Sequence, residues 1–582
     1  HPVDCRLIFY PTDELFEKRT RSVAVAIRQG TSFFVDRPGK KLRLGELSVP
    51  ITVGSSNTIS CCHLHLMFLY TLALYQDTKK RWADFSFSPC GEKLLCVLED
   101  HHGSSVLNSI VCIDLLTHQM QTIHAEYDFY ASPRWNFDGT LVGFIYWNFP
   151  HMPWDQSGLL VISYEEKDSL DFVGAEKEAI SEFLWVNDGS LLYASDRSGF
   201  SNLYLRHQGK EKCLFSSAGD CSFPLWVLGR TSFELIEMEG KRSIVTRVCS
   251  KGVDQLCIVP LDGSEVRYIK CSLTVVESLA TSADEIYVLG GSEEISLSLM
   301  SLRGSKYRLE GFYPNKIDRD LFETVISRPQ ELSCSSSLDG ATVYGFYYPP
   351  TCNGAISGDL PPLILKCHSG PTTHAQKLLH WPVQYWTSRG FAYLEVNYRG
   401  STGYGREYQQ ALNGNWGDLD VRDCIDLMEH LIQKGWVDPE LVFARGSSSG
   451  GFTALLLAAF SKRIKGCVSL YGVTELMSLV SETHKFEKYY LDTLIGPIDQ
   501  CLDLYEKRSP LHQSSKIKAP VLFFHGDRDN VVPLSQAEKM HSSLENSKLI
   551  TFEVEGHGFR SSDTIRSCLE LELAFYQNIM EN

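Results

Sequence analysis

Little in this sequence suits a membrane or a nucleic acid. Positive charge is in short supply: 55 lysines and arginines face 71 aspartates and glutamates, for a formal net charge of -16. A field of that sign repels polyphosphate backbones and anionic bilayer surfaces, which weakens both as partners. Long hydrophobic runs are scarce as well. The run that most invites a membrane reading, Leu66 to Tyr75, opens beside His63 and His65 and falls short of the roughly 20 apolar residues that cross a bilayer, so a buried strand or helix fits it better. Metal-site spacing is also missing. Cys61-Cys62-His63-Leu64-His65 has no second ligand pair at a set distance, which favours packed or idle side chains over zinc, and no metal is expected. No long low-complexity tract occurs, and with 43% hydrophobic and 22% charged residues large-scale disorder is not expected. The 18 cysteines, from Cys5 to Cys568, follow no regular framework. No secretory leader is read, so reduced thiols and a cytoplasmic setting are expected. The chain starts at His1 instead of Met, which leaves a lost leader open.

What is present is length enough for two or more domains, at 582 residues. The first half reads as short strands broken by turns, with a weak internal repeat. Phe85 to Leu98, Trp135 to Trp147 and Trp185 to Arg197 each place an apolar strand before a glycine-ended turn and a second strand. Gly91, Gly139 and Gly189 mark the same turn position, 48 and 50 residues apart. A period of roughly 40 to 50 with several strands per unit is the signature of propeller blades, and the stretch to about residue 310 would hold six or seven. Unrelated hairpins of a β-sandwich are the alternative.

After about residue 340 the texture changes. Pro362–Cys367, Phe391–Asn397, Leu441–Arg445, Gly466–Tyr471, Pro520–Phe524 and Leu549–Val554 are short, nearly continuous apolar runs, as expected of strands buried on both faces. Helical patterns over 418–434, 450–460, 535–544 and 564–580 alternate with them, which implies a mostly parallel, doubly wound sheet. Gly354–Pro362 reads as a loop. The expected architecture is an N-terminal β-propeller over residues 1–320 and a C-terminal α/β-hydrolase domain over residues 321–582.

Chemistry concentrates in the second half. Arg445-Gly446-Ser447-Ser448-Ser449-Gly450-Gly451 follows an apolar strand and opens a helix, the context that gives a G-x-S-x-G match its meaning. A nucleophile on so sharp a turn needs very small neighbours two residues to either side, and Gly446 and Gly450 supply them around Ser448. Ser449 is the rival, flanked by Ser447 and Gly451. A serine hydroxyl is a poor nucleophile until a base takes its proton, so an oriented histidine is required elsewhere. His557, in Glu555-Gly556-His557-Gly558-Phe559 after the last strand, is the candidate. In folds of this order the acid follows an earlier strand, where Asp527 and Asp529 both stand and the residues alone barely separate them. Oxyanion donors are expected from the backbone N–H of Ser449 and from the loop His368-Ser369-Gly370-Pro371, through Ser369 and Gly370.

Together with Asn397-Tyr398-Arg399-Gly400-Ser401-Thr402-Gly403-Tyr404-Gly405 and Asp529 to Pro533, these segments resemble the prolyl oligopeptidase family of serine peptidases, closest to its acylaminoacyl-peptidase-like and dipeptidyl-peptidase-like branch. Phe129 to Trp135, Met152 to Asp155 and Ser195 to Gly199 are similar to parts of that branch's propeller. The resemblance selects Asp529 as the acid. It implies a propeller over the active site, short or unfolded peptide substrates cut internally or near their N-terminus, and no cofactor. A homo-oligomer is left open. Ser369 and Ser447 replace glycines frequent in the family, and Val49 to Tyr75 does not resemble it, so the first blades are expected to be incomplete. Glu165-Glu166 and Glu293-Glu294 are sequence pairs of the kind that bind a substrate amine in dipeptidyl enzymes, yet each sits in a polar turn or strand edge that favours a solvated face. A small-ester hydrolase on the same triad and a propeller-based interaction protein with a weakly active hydrolase domain are the competing readings.

Overall fold

In a computed structural model of the chain, the described residues are 51–53, 58–65, 68–186, 189–238, 240–282, 285–303, 308–311, 326–351 and 360–581. The expected boundary at 320 and 321, most of the Gly354–Pro362 loop and the expected propeller residues 1–50 fall outside them.

Turn geometry sets the repeat of the first half. Gly91, Gly139 and Gly189 have φ of +77°, +77° and +81°, a region that costs other residues about 1–2 kcal/mol. Each donates its N–H to the carbonyl three residues back, Ser88, Asn136 and Val186. The turns join Lys80–Phe87 to Lys93–Asp100, Phe129–Trp135 to Leu141–Trp147, and Ile180–Trp185 to Leu191–Ser195. Gly240, at +73°, stands in the equivalent turn between Phe233–Met238 and Lys241–Ser250.

Each of these strand pairs continues into a four-stranded antiparallel sheet, and a fifth runs from Val275–Ser282 to Arg308–Gly311. A three-stranded sheet of Ile51–Val53, Thr58–His65 and Phe68–Gln76 precedes them. The run expected to be a buried strand or helix therefore supplies a strand. Among the described residues, the five four-stranded sheets are propeller blades. Apolar clusters lie between consecutive blades: Val97 and Ile110 pack with Tyr130 and Phe144, Ile145 and Leu159 with Phe183 and Tyr193, Leu192 and Leu203 with Ile244 and Cys257, and Val245 and Ile258 with Val276 and Val288. Burial between neighbouring sheets in this way explains the dense apolar content of their short strands.

The second half is one eight-stranded sheet. In spatial order it runs Gln330–Ser335, Thr342–Tyr348, Ala392–Asn397, Leu363–Cys367, Val442–Ser447, Ile464–Leu470, Val521–Gly526 and Ser547–Phe552. The first two strands pair antiparallel and the last six are parallel to one another. Alternate residues face opposite cores, as strand geometry requires. Leu363, Leu365 and Cys367 meet the helices Leu419–Gln433 and Ser449–Phe460, while Ile364, Phe443 and Val468 meet Trp381–Thr387 and Ser562–Glu581 through Trp386 and Tyr576. Among the described residues no helix is long and apolar enough to cross a membrane.

The segment after Ala392–Asn397 joins the two halves. Arg406 pairs with Asp196 and donates to the carbonyls of Trp154, at 3.3 Å, and Asp155, at 2.7 Å. Gly405 donates its N–H to Asp220 at 3.1 Å. Burial pushes the carboxyl of Asp196 up to about 6, against the pull of the Arg406 guanidinium.

Candidate active site

The strand Val442–Ser447 ends in a sharp reversal before the helix Ser449–Phe460, and Ser448 occupies the bend at φ +54° and ψ -124°. Such backbone is held only where the surroundings enforce it. Here the enforcement is close packing: a Cβ on Gly446 would collide with the Gly450 carbonyl, and one on Gly450 with the Cys367 carbonyl. The side chain of Ser448 is thereby turned away from strand and helix alike.

His557 Nε2 lies 2.9 Å from Ser448 Oγ, and His557 Nδ1 lies 2.8 Å from Asp529 Oδ2. The relay that follows has Ser448 donating to Nε2 and Nδ1–H donating to Asp529. The carboxylate is itself oriented, because Oδ1 accepts the N–H groups of Val531 and Val532, each at 2.9 Å. Burial opposes ionisation of Asp529, but the hydrogen bond and charge of His557 and the two backbone donors outweigh it and hold the carboxyl below its ordinary range. Tyr471 packs edge-on against the imidazole at 5.0 Å between ring centres.

The rivals have other surroundings. Ser449 Oγ is buried and makes no hydrogen bond among the described residues. Asp527 accepts the N–H of Val554 at 2.7 Å, so it braces the loop that carries His557 from outside.

Ser449 is the first residue of its helix, where the N–H has no carbonyl one turn back to bond. Across from it, the loop after Leu363–Cys367 carries Ser369 and Gly370, with Gly370 at φ +123°. Residues outside the motif hold this loop. His368 stacks on Tyr398 at 4.2 Å and lies 2.7 Å from Ser401 Oγ through Nε2. Thr373 Oγ1 donates to the Ser369 carbonyl at 2.6 Å. Thus the Asn397–Gly405 segment, a family likeness in sequence, serves physically as the brace of the 368–373 loop. From the propeller, Trp226 Nε1 donates to the Thr372 carbonyl at 2.7 Å, Thr274 Oγ1 to the Lys377 carbonyl at 2.5 Å, and Gln376 reaches Glu277 at 2.5 Å.

Neither glutamate pair approaches this arrangement as a free amine site. Glu165 and Glu166 are exposed in a turn, while Glu293 and Glu294 pair with Lys377 and Arg328. Among the described residues no group of three or more His, Cys, Asp or Glu side chains is placed to hold a metal ion. Residues that sequence reasoning missed include Thr372 and Trp226, and the only advance signal for Trp226 was aromatic density, which a core produces equally well.

The arrangement of Ser448, His557 and Asp529 in one hydrogen-bonded relay is suited to acyl transfer. The sequence model of the prolyl oligopeptidase family matches residues 377–582, which contain Ser448, Asp529 and His557. The chain is 30% identical over 216 residues to the acylamino-acid-releasing enzyme of Arabidopsis thaliana, covering 34% of this chain and 28% of that enzyme. It is 29% identical over 238 residues to dipeptidyl aminopeptidase BIII of Pseudoxanthomonas mexicana, covering 38% and 34%. These matches span about a third of the curated relatives' length. Over the whole chain, the fold is similar to a puromycin-hydrolyzing peptidase of Mycobacterium tuberculosis, with a TM-score of 0.83 and 27% identity over 99% of this chain and 94% of that one.

Proposed function

We propose that the chain, whose residues 377–582 match the sequence model of the prolyl oligopeptidase family, is a serine peptidase that hydrolyses short peptides through an acyl-enzyme on Ser448. The observation that carries this reading is the continuous relay from Ser448 Oγ through His557 to Asp529, at 2.9 and 2.8 Å. Likeness to a puromycin-hydrolyzing peptidase over nearly the full chain supports it.

In the proposed reaction His557 takes the Ser448 proton as Oγ attacks the scissile carbonyl. The N–H groups of Ser449 and of the Ser369–Gly370 loop receive the oxyanion, each such donor being worth about 10²–10³ in rate. His557 then returns the proton to the leaving amine. Water, deprotonated by the same imidazole, releases the acyl group and restores Ser448. Asp529 stays ionised throughout and fixes which imidazole nitrogen carries hydrogen.

Access past the propeller restricts the substrate in this reading. A folded protein would have to open locally before its backbone reached Ser448, and each ~1.4 kcal/mol of opening cost reduces the cleavable population about tenfold. The experiment presents one cleavable sequence as a free peptide, as a disordered tail and inside a stable folded loop. Rapid cleavage of the first two and slow cleavage of the third is expected. Equal rates on all three would overturn the gate and favour an open-cleft esterase-like enzyme.

A further inference from the structure

His525 lies in the strand Val521–Gly526, just ahead of the turn that carries Asp529, and is fully buried. Strand alternation puts it on the same face as Val521 and Phe523, in the apolar cluster that also holds Val532, Ala537 and Met540. A polar ring there is costly unless its nitrogens are bonded, and only one of them is. Nε2 lies 2.8 Å from the Val532 carbonyl, so Nε2 carries the hydrogen and donates it. Nδ1 is buried with no hydrogen-bond partner among the described residues. A protonated ring would add a second buried N–H with nothing to accept it, so the imidazole is neutral, and burial draws its pKa down accordingly. An apolar side chain would avoid the orphaned nitrogen. What the imidazole contributes at this place is its single N–H.

That N–H closes the turn of the triad's acid. Asp529 Oδ1 accepts the N–H of Val532 at 2.9 Å, and the carbonyl of the same Val532 accepts from His525. Val532 is thus held at both polar atoms, one tied to the carboxylate and the other to the sheet. His525 Nε2 is 3.7 Å from Asp529 Oδ2, too long for a hydrogen bond, so its hold on the acid runs through Val532. The same turn abuts the loop of the base, because Arg528 donates its N–H to the Glu555 carbonyl at 3.0 Å. Gly526 permits this approach: a Cβ there would stand 2.3 Å from that carbonyl oxygen. Without the His525 bond the buried Val532 carbonyl would turn toward another donor, and Asp529 would move with it.

Resting on the serine-peptidase reading of Ser448, we infer that His525 is a positioning residue of the reaction: its Nε2–H clamps the Val532 carbonyl and thereby aims Asp529 at His557. The role requires a donor at that point and nothing else of the ring. Glutamine meets the requirement, since its amide nitrogen stands as many bonds from the backbone as Nε2 does. Methionine has the same length and no donor. Displacing a catalytic group by about 1 Å lowers the rate by about a hundredfold, and an acid out of register also supports the imidazolium less well.

The test follows labelling of Ser448 by a fluorophosphonate in the wild type, His525→Gln and His525→Met, reading the rate constant, the final extent and the pH dependence. His525→Met should react about ten- to a hundredfold more slowly yet to the full extent, with the acid limb of its rate profile displaced to lower pH. His525→Gln should stay within about threefold of the wild type, as a replaced hydrogen bond implies. Equal slowing of both variants would overturn the inference, because packing of the ring and not its N–H would then matter. So would His525→Met that reacts at the wild-type rate, or one that loses only final extent, which would make His525 a folding residue alone. Where His525→Met does not fold, His525→Gln decides: a near wild-type rate supports the clamp, and a loss beyond about tenfold overturns it. A wild type that is not labelled would end the serine-peptidase reading and the clamp together, whereas a labelled wild type with two equally slow variants contradicts the clamp alone.

Discussion

The propeller and the hydrolase half bury apolar side chains by the same strand alternation, yet only one of them gathers chemistry. In the propeller each sheet covers its sequence neighbour, and the apolar clusters repeat from one blade pair to the next. In the hydrolase half a single sheet is covered by helices on both faces. The C-terminal ends of its parallel strands point one way. Ser369 and Gly370 follow Leu363–Cys367, Ser448 follows Val442–Ser447, Asp529 follows Val521–Gly526, and His557 follows Ser547–Phe552. Four loops from distant parts of the chain thus share one edge, which a series of self-contained blades does not offer. The propeller supplies the wall: Trp226, Thr274 and Glu277 reach the loop that carries the proposed oxyanion donors.

The largest expected effects separate the two halves by function. Ser448→Ala or His557→Ala should lower kcat by about 10⁶, and Asp529→Asn by about 10⁴ through loss of the correct imidazole tautomer, with little change in Tm. A propeller substitution with an equal loss of kcat and an unchanged Tm would break the division of labour.

Glycines sharpen the comparison next. Gly446→Ala drives a Cβ into the backbone of Gly450 and should cost more than about 3 kcal/mol, abolishing turnover together with the elbow. Gly91→Ala meets nothing within 4 Å and pays only for positive φ, about 1–2 kcal/mol. Urea unfolding of both variants checks this order.

How much was legible in the sequence follows the same line. The six parallel strands of the hydrolase half were readable to within a few residues because short, nearly continuous apolar runs suit a sheet buried on both faces, whereas Gln330–Ser335 and Thr342–Tyr348 went unread. Ser448 was readable because the bend itself demands Gly446 and Gly450. The choice between Asp527 and Asp529 was not, since both follow the same strand. Tertiary contacts separate them, with Asp527 taken by the Val554 N–H and Asp529 facing His557. Trp226 stayed hidden because it meets Thr372 across 146 positions of chain, and no local pattern encodes such a meeting. The adjacent glutamates 165–166 and 293–294 drew notice as pairs, yet the first two are exposed in a turn and the second two pair with Lys377 and Arg328.

A smaller effect tests whether the propeller positions the oxyanion loop. Trp226→Phe keeps an aromatic ring but removes the N–H that holds the Thr372 carbonyl. It should reduce kcat by about tenfold, the size of one ordinary hydrogen bond, with KM little changed. A rise in KM alone would make Trp226 a substrate contact instead.

The smallest effect is on pH. His368 is buried beneath the same loop, and burial draws its pKa down to about 3. The unfolded chain therefore takes up a proton below about pH 6.5 that the native site refuses. Stability contributed by this group is complete above that pH and declines as pH falls, by up to about 1.4 kcal/mol per unit. In His368→Gln the dependence of Tm on pH between 6.5 and 4 should be shallower. An unchanged slope would remove His368 from the acid response.

The most direct measurement of the central claim is to treat the chain with a fluorophosphonate and locate the adduct by mass spectrometry of the digest. The account predicts one adduct, on Ser448, its formation suppressed in His557→Ala. An adduct on Ser449, or reaction at Ser448 that persists at full rate without His557, would contradict it.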